Sequence, residues 1–157
     1  RRSFLSDVPK QRGIYALCAE TGKNQYVAYV GMATNLNHRL VQHLVRKNSS
    51  IVTGVSAVSL DPDKVTEVRW WVHPKFNRYL REAEVVAFKV LQPVLRSRAA
   101  ICAPVRYVAS QKNFPREMKR LFLGSPSGRV SIISPQELMS KVVELEKIIK
   151  STSSMKQ

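Results

Sequence analysis

The chain has 157 residues, enough for one domain of ordinary size with a modest extension. Twenty-six Lys and Arg against eleven Asp and Glu give a formal net charge of +15, and a field of that strength attracts polyanions, nucleic acid before an anionic membrane. No apolar run is long enough to cross a bilayer and no signal-peptide pattern opens the sequence, so we expect an intracellular protein. Cys18 and Cys102 form neither a CxxC zinc motif nor a disulfide framework, so we expect both cysteines to be reduced.

Two strands that each carry a tyrosine are predicted near the start of the chain. Residues 13–18 and 26–30 are rich in aromatic and β-branched residues, and the polar segment 20–24 between them is typical of a hairpin loop. Tyr15 lies on the first strand and Tyr29 on the second. The hairpin therefore brings two phenols together.

A helix is predicted directly after the hairpin, with Thr34 or Asn35 as its cap. Its buried stripe consists of leucines that recur every four residues: Leu36, Leu40 and Leu44. Arg39 and His43 are also four residues apart and stand beside that stripe. A guanidinium and an imidazole should thus lie on the helix edge that faces the hairpin.

A third strand over residues 67–72 is predicted to carry Trp70 and Trp71 on opposite faces, both packed in the core. Asn77 can cap the helix that follows, which runs to about Leu91. The segment 51–60 before the strand fits a helix or a strand equally well.

Glu84 falls on the apolar side of this second long helix, between Leu80 and Phe88. Desolvation penalises the charged form of a carboxylate, so an acid in this place must be paired, metal-bound or protonated. A structural ion pair with Arg39 is the alternative explanation of Glu84, but the same pair would also be expected inside an active site, so a catalytic site is favoured.

The order and spacing of these residues resemble the GIY-YIG nuclease family. The two tripeptides are Gly13-Ile14-Tyr15 and Tyr29-Val30-Gly31, and Arg39 follows the second tyrosine by ten residues, as the family's arginine does. His43 comes four residues later, where many members have a histidine. The family's acid precedes a proline by nine residues, and Glu84 precedes Pro93 by nine.

The resemblance covers roughly residues 13–96 and departs from the family at Arg96, where an asparagine is usual. It implies an α+β, sandwich-like fold: a small three-stranded antiparallel sheet flanked by helices. A basic helical extension would follow this fold at the C-terminal end. Walker loops, nucleophile elbows, dinucleotide fingerprints and zinc clusters are absent from the sequence.

The resemblance also implies a catalytic set: Tyr15, Tyr29, Arg39, His43 and Glu84. Glu84 would bind Mg²⁺, for which Mn²⁺ can substitute, because Mg²⁺ takes oxygen ligands and keeps several waters. Tyr15 would act as general base toward water and Tyr29 would orient water or phosphate, with the reverse assignment left open. Arg39 can hold a phosphate in bidentate fashion, which lysine does less well.

We therefore predict a Mg²⁺-dependent endonuclease that is selective for branched DNA, such as flaps or splayed arms, and acts in DNA repair. RNA is a second candidate substrate. A nuclear location is expected, with an organellar one left open. A sequence-specific restriction or homing enzyme is the alternative among enzymes, and an inactive nucleic-acid-binding adaptor is the alternative outside them.

Basic residues spread along the chain are predicted to contact nucleic acid: His38, Arg96, Arg98, Lys112, Arg116, Lys119 and Arg120. Arg116, Lys119 and Arg120 fall on a short helix whose charges could equally form a solvated face.

The predicted organisation has four parts: a basic arm (1–12), the nuclease core (13–98), a basic extension (99–150) and a polar tail (151–157). Within the extension, a capping box at residues 134–137 opens an amphipathic helix over 135–150. Its stripe has apolar residues four, three and four apart: Leu138, Val142, Leu145 and Ile149. Two heptads are short for an autonomous coiled coil, so packing on its own domain is favoured, and pairing with a second copy as a homodimer is the sharper alternative.

Overall fold

The computed structural model describes residues 5–53, 60–95, 113–133 and 135–155. They form one antiparallel sheet with helices on both faces, so the expected α+β class is confirmed. The strands are β1 (Gly13–Thr21), β2 (Asn24–Ala33), β3 (Val65–Trp71) and β4 (Gly128–Ser131). The helices are α1 (Leu36–Leu44), α2 (Ser50–Thr53), α3 (Phe76–Leu91), α4 (Phe114–Leu123) and α5 (Pro135–Met155).

The tyrosine hairpin forms as predicted, with longer strands. β1 and β2 pair from Gly13 opposite Ala33 to Thr21 opposite Asn24, and the pairing slips by one residue at Leu17/Cys18. Gly22 has a φ of +63° in the tight turn between them, a conformation that glycine adopts without a steric penalty. Polar residues near the turn therefore belong to the strands rather than to a loop.

The sheet has four strands in the order β2-β1-β3-β4, one more than predicted. The added strand, β4, pairs with β3 so that Gly128 lies opposite Trp70. A Cβ at Gly128 would come within 2.5 Å of Trp70 Cε2, so the indole uses the space that glycine leaves free. The pairing of β4 with β3 joins segments that are far apart in the sequence, so no local pattern reveals it.

Two cores form, one on each face of the sheet. Tyr15, Leu17 and Trp70 pack against Leu36 and other residues of α1 on the first face. The second face carries Ile14, Ala16 and Trp71, which pack against α3 and α4. The prediction that the tryptophans are buried on opposite faces is confirmed, with Trp70 5% and Trp71 2% exposed.

The observed starts of α1 and α3 can be compared with the caps predicted for these two helices. Asn35 caps α1, because its side chain accepts a hydrogen bond from the backbone N–H of His38. The cap predicted at Asn77 is wrong: α3 begins one residue earlier, at Phe76, and the preceding Lys75 makes no capping bond with its side chain. Phe76 is fully buried, so core packing fixes this helix start.

The extension predicted for 99–150 contributes to the core. Phe114, Met118 and Phe122 of α4 are buried in the second core, and β4 completes the sheet. α5 runs to Met155, five residues beyond the predicted end at 150. The start of its capping box, Ser134, lies outside the described residues.

After α3 the chain returns along the outer edge of β2. The backbone N–H groups of Val94 and Leu95 donate to the carbonyls of Val27 and Ala28. Within the described residues, no helix combines the length and hydropathy needed to span a membrane.

The predicted basic arm is docked on the domain where it is described. Leu5 and Val8 are 1% and 2% exposed, because their segment lies against the start of α1. Asn37 holds this segment through its side-chain amide, which donates to the carbonyls of Leu5 at 2.9 Å and Val8 at 3.0 Å. One side chain thus ties the start of the chain to the helix that carries Arg39 and His43.

We expect Asn37→Ala to lower the free energy of unfolding by about 1–3 kcal/mol, because two carbonyls lose their donor at once. Urea unfolding followed by tryptophan fluorescence measures this change. Asn48→Ala, at an exposed position beyond α1, is the control and should change stability by less than about 0.5 kcal/mol. Equal effects of the two substitutions would show that Asn37 does not anchor the arm.

Candidate active site

The candidate site lies where β1 and β2 face α1. Tyr15 on β1 is 2% exposed and lies opposite Gly31 on β2. A Cβ at Gly31 would come within 2.6 Å of Tyr15 Cζ, so only glycine lets the phenol ring lie across the neighbouring strand. The last residue of the second tripeptide therefore has a steric role in placing the first tyrosine.

A chain of two hydrogen bonds runs through the buried part of the site. The Tyr15 hydroxyl lies 2.6 Å from Nε2 of His43, and Nδ1 of His43 lies 2.7 Å from Oγ of Ser49. All three side chains are buried, with exposed fractions of 2%, 2% and 8%. Both ring nitrogens of His43 thus have a hydrogen-bond partner. Because a neutral imidazole carries one N–H, the nitrogen that donates to its partner leaves the other nitrogen as an acceptor.

Ser49 was missed by the sequence analysis. The pair Ser49-Ser50 before an apolar run is a helix-start signal, and α2 does begin at Ser50. No sequence signal connects Ser49 with His43, because the contact depends on how the chain turns after α1.

Tyr29 completes a group of three rings. The Tyr15 and Tyr29 ring centroids are 6.1 Å apart, and those of Tyr15 and Tyr29 lie 5.5 Å and 6.1 Å from that of His43. Tyr29 is half-buried and Arg39 is exposed. Tyr15 and His43 therefore form an inner layer, and Tyr29 and Arg39 form the layer nearer to solvent.

Burial sets the protonation of the inner layer. It raises the pKa of Tyr15 well above its usual value, and the neighbouring Tyr29 raises it further, while the charge of Arg39 opposes the rise. Burial and the charge of Arg39 lower the pKa of His43 to about 4. At neutral pH the pair is therefore a neutral phenol hydrogen-bonded to a neutral imidazole.

The pKa of Tyr29 depends on the charges of both Glu84 and Arg39. Burial raises its pKa, Glu84 raises it further because a second negative charge nearby is unfavourable, and Arg39 lowers it. Glu84 and Arg39 also act on the pKa of Tyr15 in the same two directions. Both charged groups therefore lie near both phenols.

Glu84 lies beside Met32 of the edge strand β2. Its helix, α3, packs on the face opposite α1, but β2 is an edge strand and Glu84 is only partly buried beside it. The backbone N–H of Met32, next to Gly31, donates to the carboxylate. The rings of Tyr15, Tyr29 and His43 thus lie together, and the charges of Arg39 and Glu84 are near enough to shift the pKa of both phenols.

Burial raises the pKa of Glu84 to about 7, although the hydrogen bond from Met32 and the charge of Arg81 oppose the rise. The ion pairs within 4 Å in the described part of the chain are Lys47–Asp63, Arg69–Glu67, His73–Glu117 and Lys75–Glu117. None of these pairs includes Glu84 or Arg39. The explanation of Glu84 as the structural partner of Arg39 is therefore not supported.

The donor set fits Mg²⁺ with one protein carboxylate. In the described residues, no group of three or more His, Cys, Asp and Glu is arranged to hold a metal ion. Mg²⁺ is commonly held by one or two carboxylates, with waters and substrate phosphate oxygens as its other ligands. The desolvated carboxylate of Glu84 would gain a compensating charge from such an ion.

The predicted nucleic-acid contacts are not gathered at the site. His38 is exposed on α1 and lines a cavity of about 280 Å³ together with Lys10 and Arg46. Three further candidates are exposed on α4, on the other face of the sheet: Arg116, Lys119 and Arg120. The remaining three lie outside the described residues: Arg96, Arg98 and Lys112. Exposed basic groups thus occur on both faces of the domain.

Comparison of the chain with models of known protein families and with curated protein sequences found no match.

We expect Glu84→Gln to stabilise the protein at pH 8 without divalent cations, by up to about 3 kcal/mol. Between pH 4.5 and 7 the folded chain keeps the Glu84 proton that the unfolded chain releases, so the wild type loses stability as the pH rises through this window. Glutamine has no charge to desolvate and can still accept from Met32.

Urea unfolding at pH 4.5 and pH 8 in EDTA measures this difference. The gain should be small at pH 4.5 and large at pH 8, and Mg²⁺ should reduce it by stabilising the wild type alone. Glu82→Gln, two residues away on the same helix, controls for the loss of one negative charge. A gain of equal size at both pH values would contradict the assignment of the shifted pKa to Glu84.

Proposed function

We propose that the protein is a Mg²⁺-dependent endonuclease of the GIY-YIG type that hydrolyses phosphodiester bonds in nucleic acid. The observation that carries the proposal is a group of two phenols and an imidazole, with a guanidinium and a desolvated carboxylate near enough to shift the pKa of both phenols. The formal charge of +15 supports a polyanionic substrate.

The proposed roles follow from the two layers of the site. Arg39, which is exposed, binds the scissile phosphate, and Tyr29 orients water beside it. Glu84 would hold Mg²⁺, and the ion would supply positive charge to the phosphate and the leaving oxygen.

Tyr15 receives the proton of the attacking water through a relay. Its pKa is too high for a phenolate at neutral pH, so it acts as a base only if its own proton leaves in the same step. Nε2 of His43, at 2.6 Å, is the acceptor for that proton. This role requires the His43 tautomer with hydrogen on Nδ1, which donates to Oγ of Ser49.

Branched DNA remains the proposed substrate class, with RNA as the second candidate. Basic groups on both faces, such as His38 near α1 and Lys119 on α4, suit a substrate with more than one arm better than a single straight duplex. A sequence-specific restriction or homing enzyme is the alternative within enzymes. An inactive adaptor is the second candidate function, favoured by Arg96 in place of the family asparagine.

Cleavage of a labelled panel in Mg²⁺ and in EDTA tests the proposal: flap, splayed-arm, linear duplex, single-stranded DNA and stem-loop RNA. We expect Mg²⁺-dependent cutting of the branched substrates. Glu84→Gln should reduce the rate at least about a thousandfold, since it removes the charge that holds the metal, and Tyr15→Phe should reduce it at least about a hundredfold. Binding to the uncut flap should persist in both variants.

Glu82→Gln is the matched control and should cut within about threefold of the wild type. Cutting in EDTA, or full activity of Glu84→Gln, would refute the metal-dependent mechanism. Binding without cutting by the wild type would favour the adaptor, and equal cutting of any duplex with one short sequence would favour the restriction-type alternative.

Ser49 is proposed as a positioning residue that selects the tautomer of His43. Ser49→Ala should slow cleavage about ten- to a hundredfold, because Nδ1 loses its buried partner. Nitrogen NMR shifts of His43 should show a change of tautomer population in the same variant. Ser49→Thr should restore both readouts, whereas Ser50→Ala, at the exposed neighbour, should affect neither. A slow variant with an unchanged His43 spectrum would assign Ser49 a purely structural role.

A further inference from the structure

Helix α5 presents an apolar face that the described part of its own chain does not cover. Seven large apolar side chains on it are between 41% and 65% exposed: Leu138, Met139, Val142, Val143, Leu145, Ile148 and Ile149. Soluble proteins rarely leave so many apolar groups together in water unless a partner covers them. Of the two partners expected for this stripe, its own domain and a second copy, the exposure of these side chains among the described residues favours the second copy.

We propose that α5 pairs with α5 of a second copy as a parallel, two-stranded coiled coil. The apolar stripe follows the four-three-four spacing of a heptad seam, with Leu138 and Leu145 at d and Val142 and Ile149 at a. β-branched residues at a combined with leucine at d favour two parallel strands over larger assemblies.

Charges beside the seam agree with the parallel arrangement. Lys141 occupies a g position and Glu146 the following e position, so in a parallel pair each lysine lies opposite the partner's glutamate, twice by symmetry. In an antiparallel pair that superposes the two seams, g faces g and e faces e. Lys141 would then face Ile148 and Glu146 would face Met139, so neither side chain would lie opposite an opposite charge of the partner.

The geometry of the chain makes the pairing feasible. A helix of 21 residues is about 31 Å long, and the seam occupies its first two-thirds. β4 ends at Ser131, only a few residues before α5 begins, so a parallel pair brings both sheet domains to one end of the coil. Because the seam has only two heptads, we expect a weak dimer with a dissociation constant on the order of 10 μM.

Sedimentation of the full chain at concentrations from about 1 to 200 μM tests the pairing. The wild type should change from monomer to dimer in this range. Leu145→Glu, in the seam, should remain monomeric throughout, because it places two like charges at adjacent d positions. Val143→Glu is the matched control: Val143 is also apolar and exposed, but lies at a b position outside the seam, and this variant should dimerise as the wild type does.

Oxidative cross-linking of Leu138→Cys tests the direction of the strands. In a parallel pair the two introduced thiols are adjacent, whereas in the antiparallel pair they are about 16 Å apart along the axis, beyond the reach of a disulfide. The wild type treated in the same way controls for the native cysteines. A monomeric wild type at 200 μM, a dimeric Leu145→Glu, or a dimer without cross-linking would each overturn the proposal, and none of these readouts depends on nuclease activity.

Discussion

The hydrogen bond between the Tyr15 hydroxyl and Nε2 of His43 is the contact on which the candidate site depends. It joins β1 to α1 inside a layer that is almost free of solvent, so any shift between the sheet and the helix would break it. Gly31 permits it by leaving room for the phenol, and Asn35 and Asn37 fix the start of the helix that supplies the imidazole. The fold thereby positions a phenol, an imidazole and a hydroxyl whose protons are coupled.

Burial has opposite consequences for stability and for chemistry at this site. A carboxylate that is partly buried beside β2 destabilises the protein above neutral pH, yet the same desolvation would strengthen the attraction of Glu84 to a cation. For the inner pair, burial favours the uncharged forms, so Tyr15 and His43 are both neutral at neutral pH. Such conflicts between local stability and local charge are common where proteins do chemistry.

Features that depend on a local sequence pattern could be predicted from the sequence. Features that depend on contacts between distant segments could not. Tyr15, Tyr29, Arg39 and Glu84 could be selected because their spacing is visible along the chain, and the alternation of Trp70 and Trp71 follows from the pleat of a strand. Ser49, the docking of Leu5 and Val8, and the pairing of β4 with β3 all depend on contacts between remote residues. Core packing of Phe76 overrode the capping preference of Asn77 at the start of α3.

The course of the chain after α3 has a further consequence for solubility. Because Val94 and Leu95 bond to the free side of β2, the longest strand of the sheet offers fewer open amide and carbonyl groups to a strand from another molecule. At the opposite border β4 has only four residues and carries Arg129, a short and charged rim that is a poor template for further strands. Both margins of the sheet are thus protected against pairing with strands of other molecules, the contact from which fibril-like growth begins.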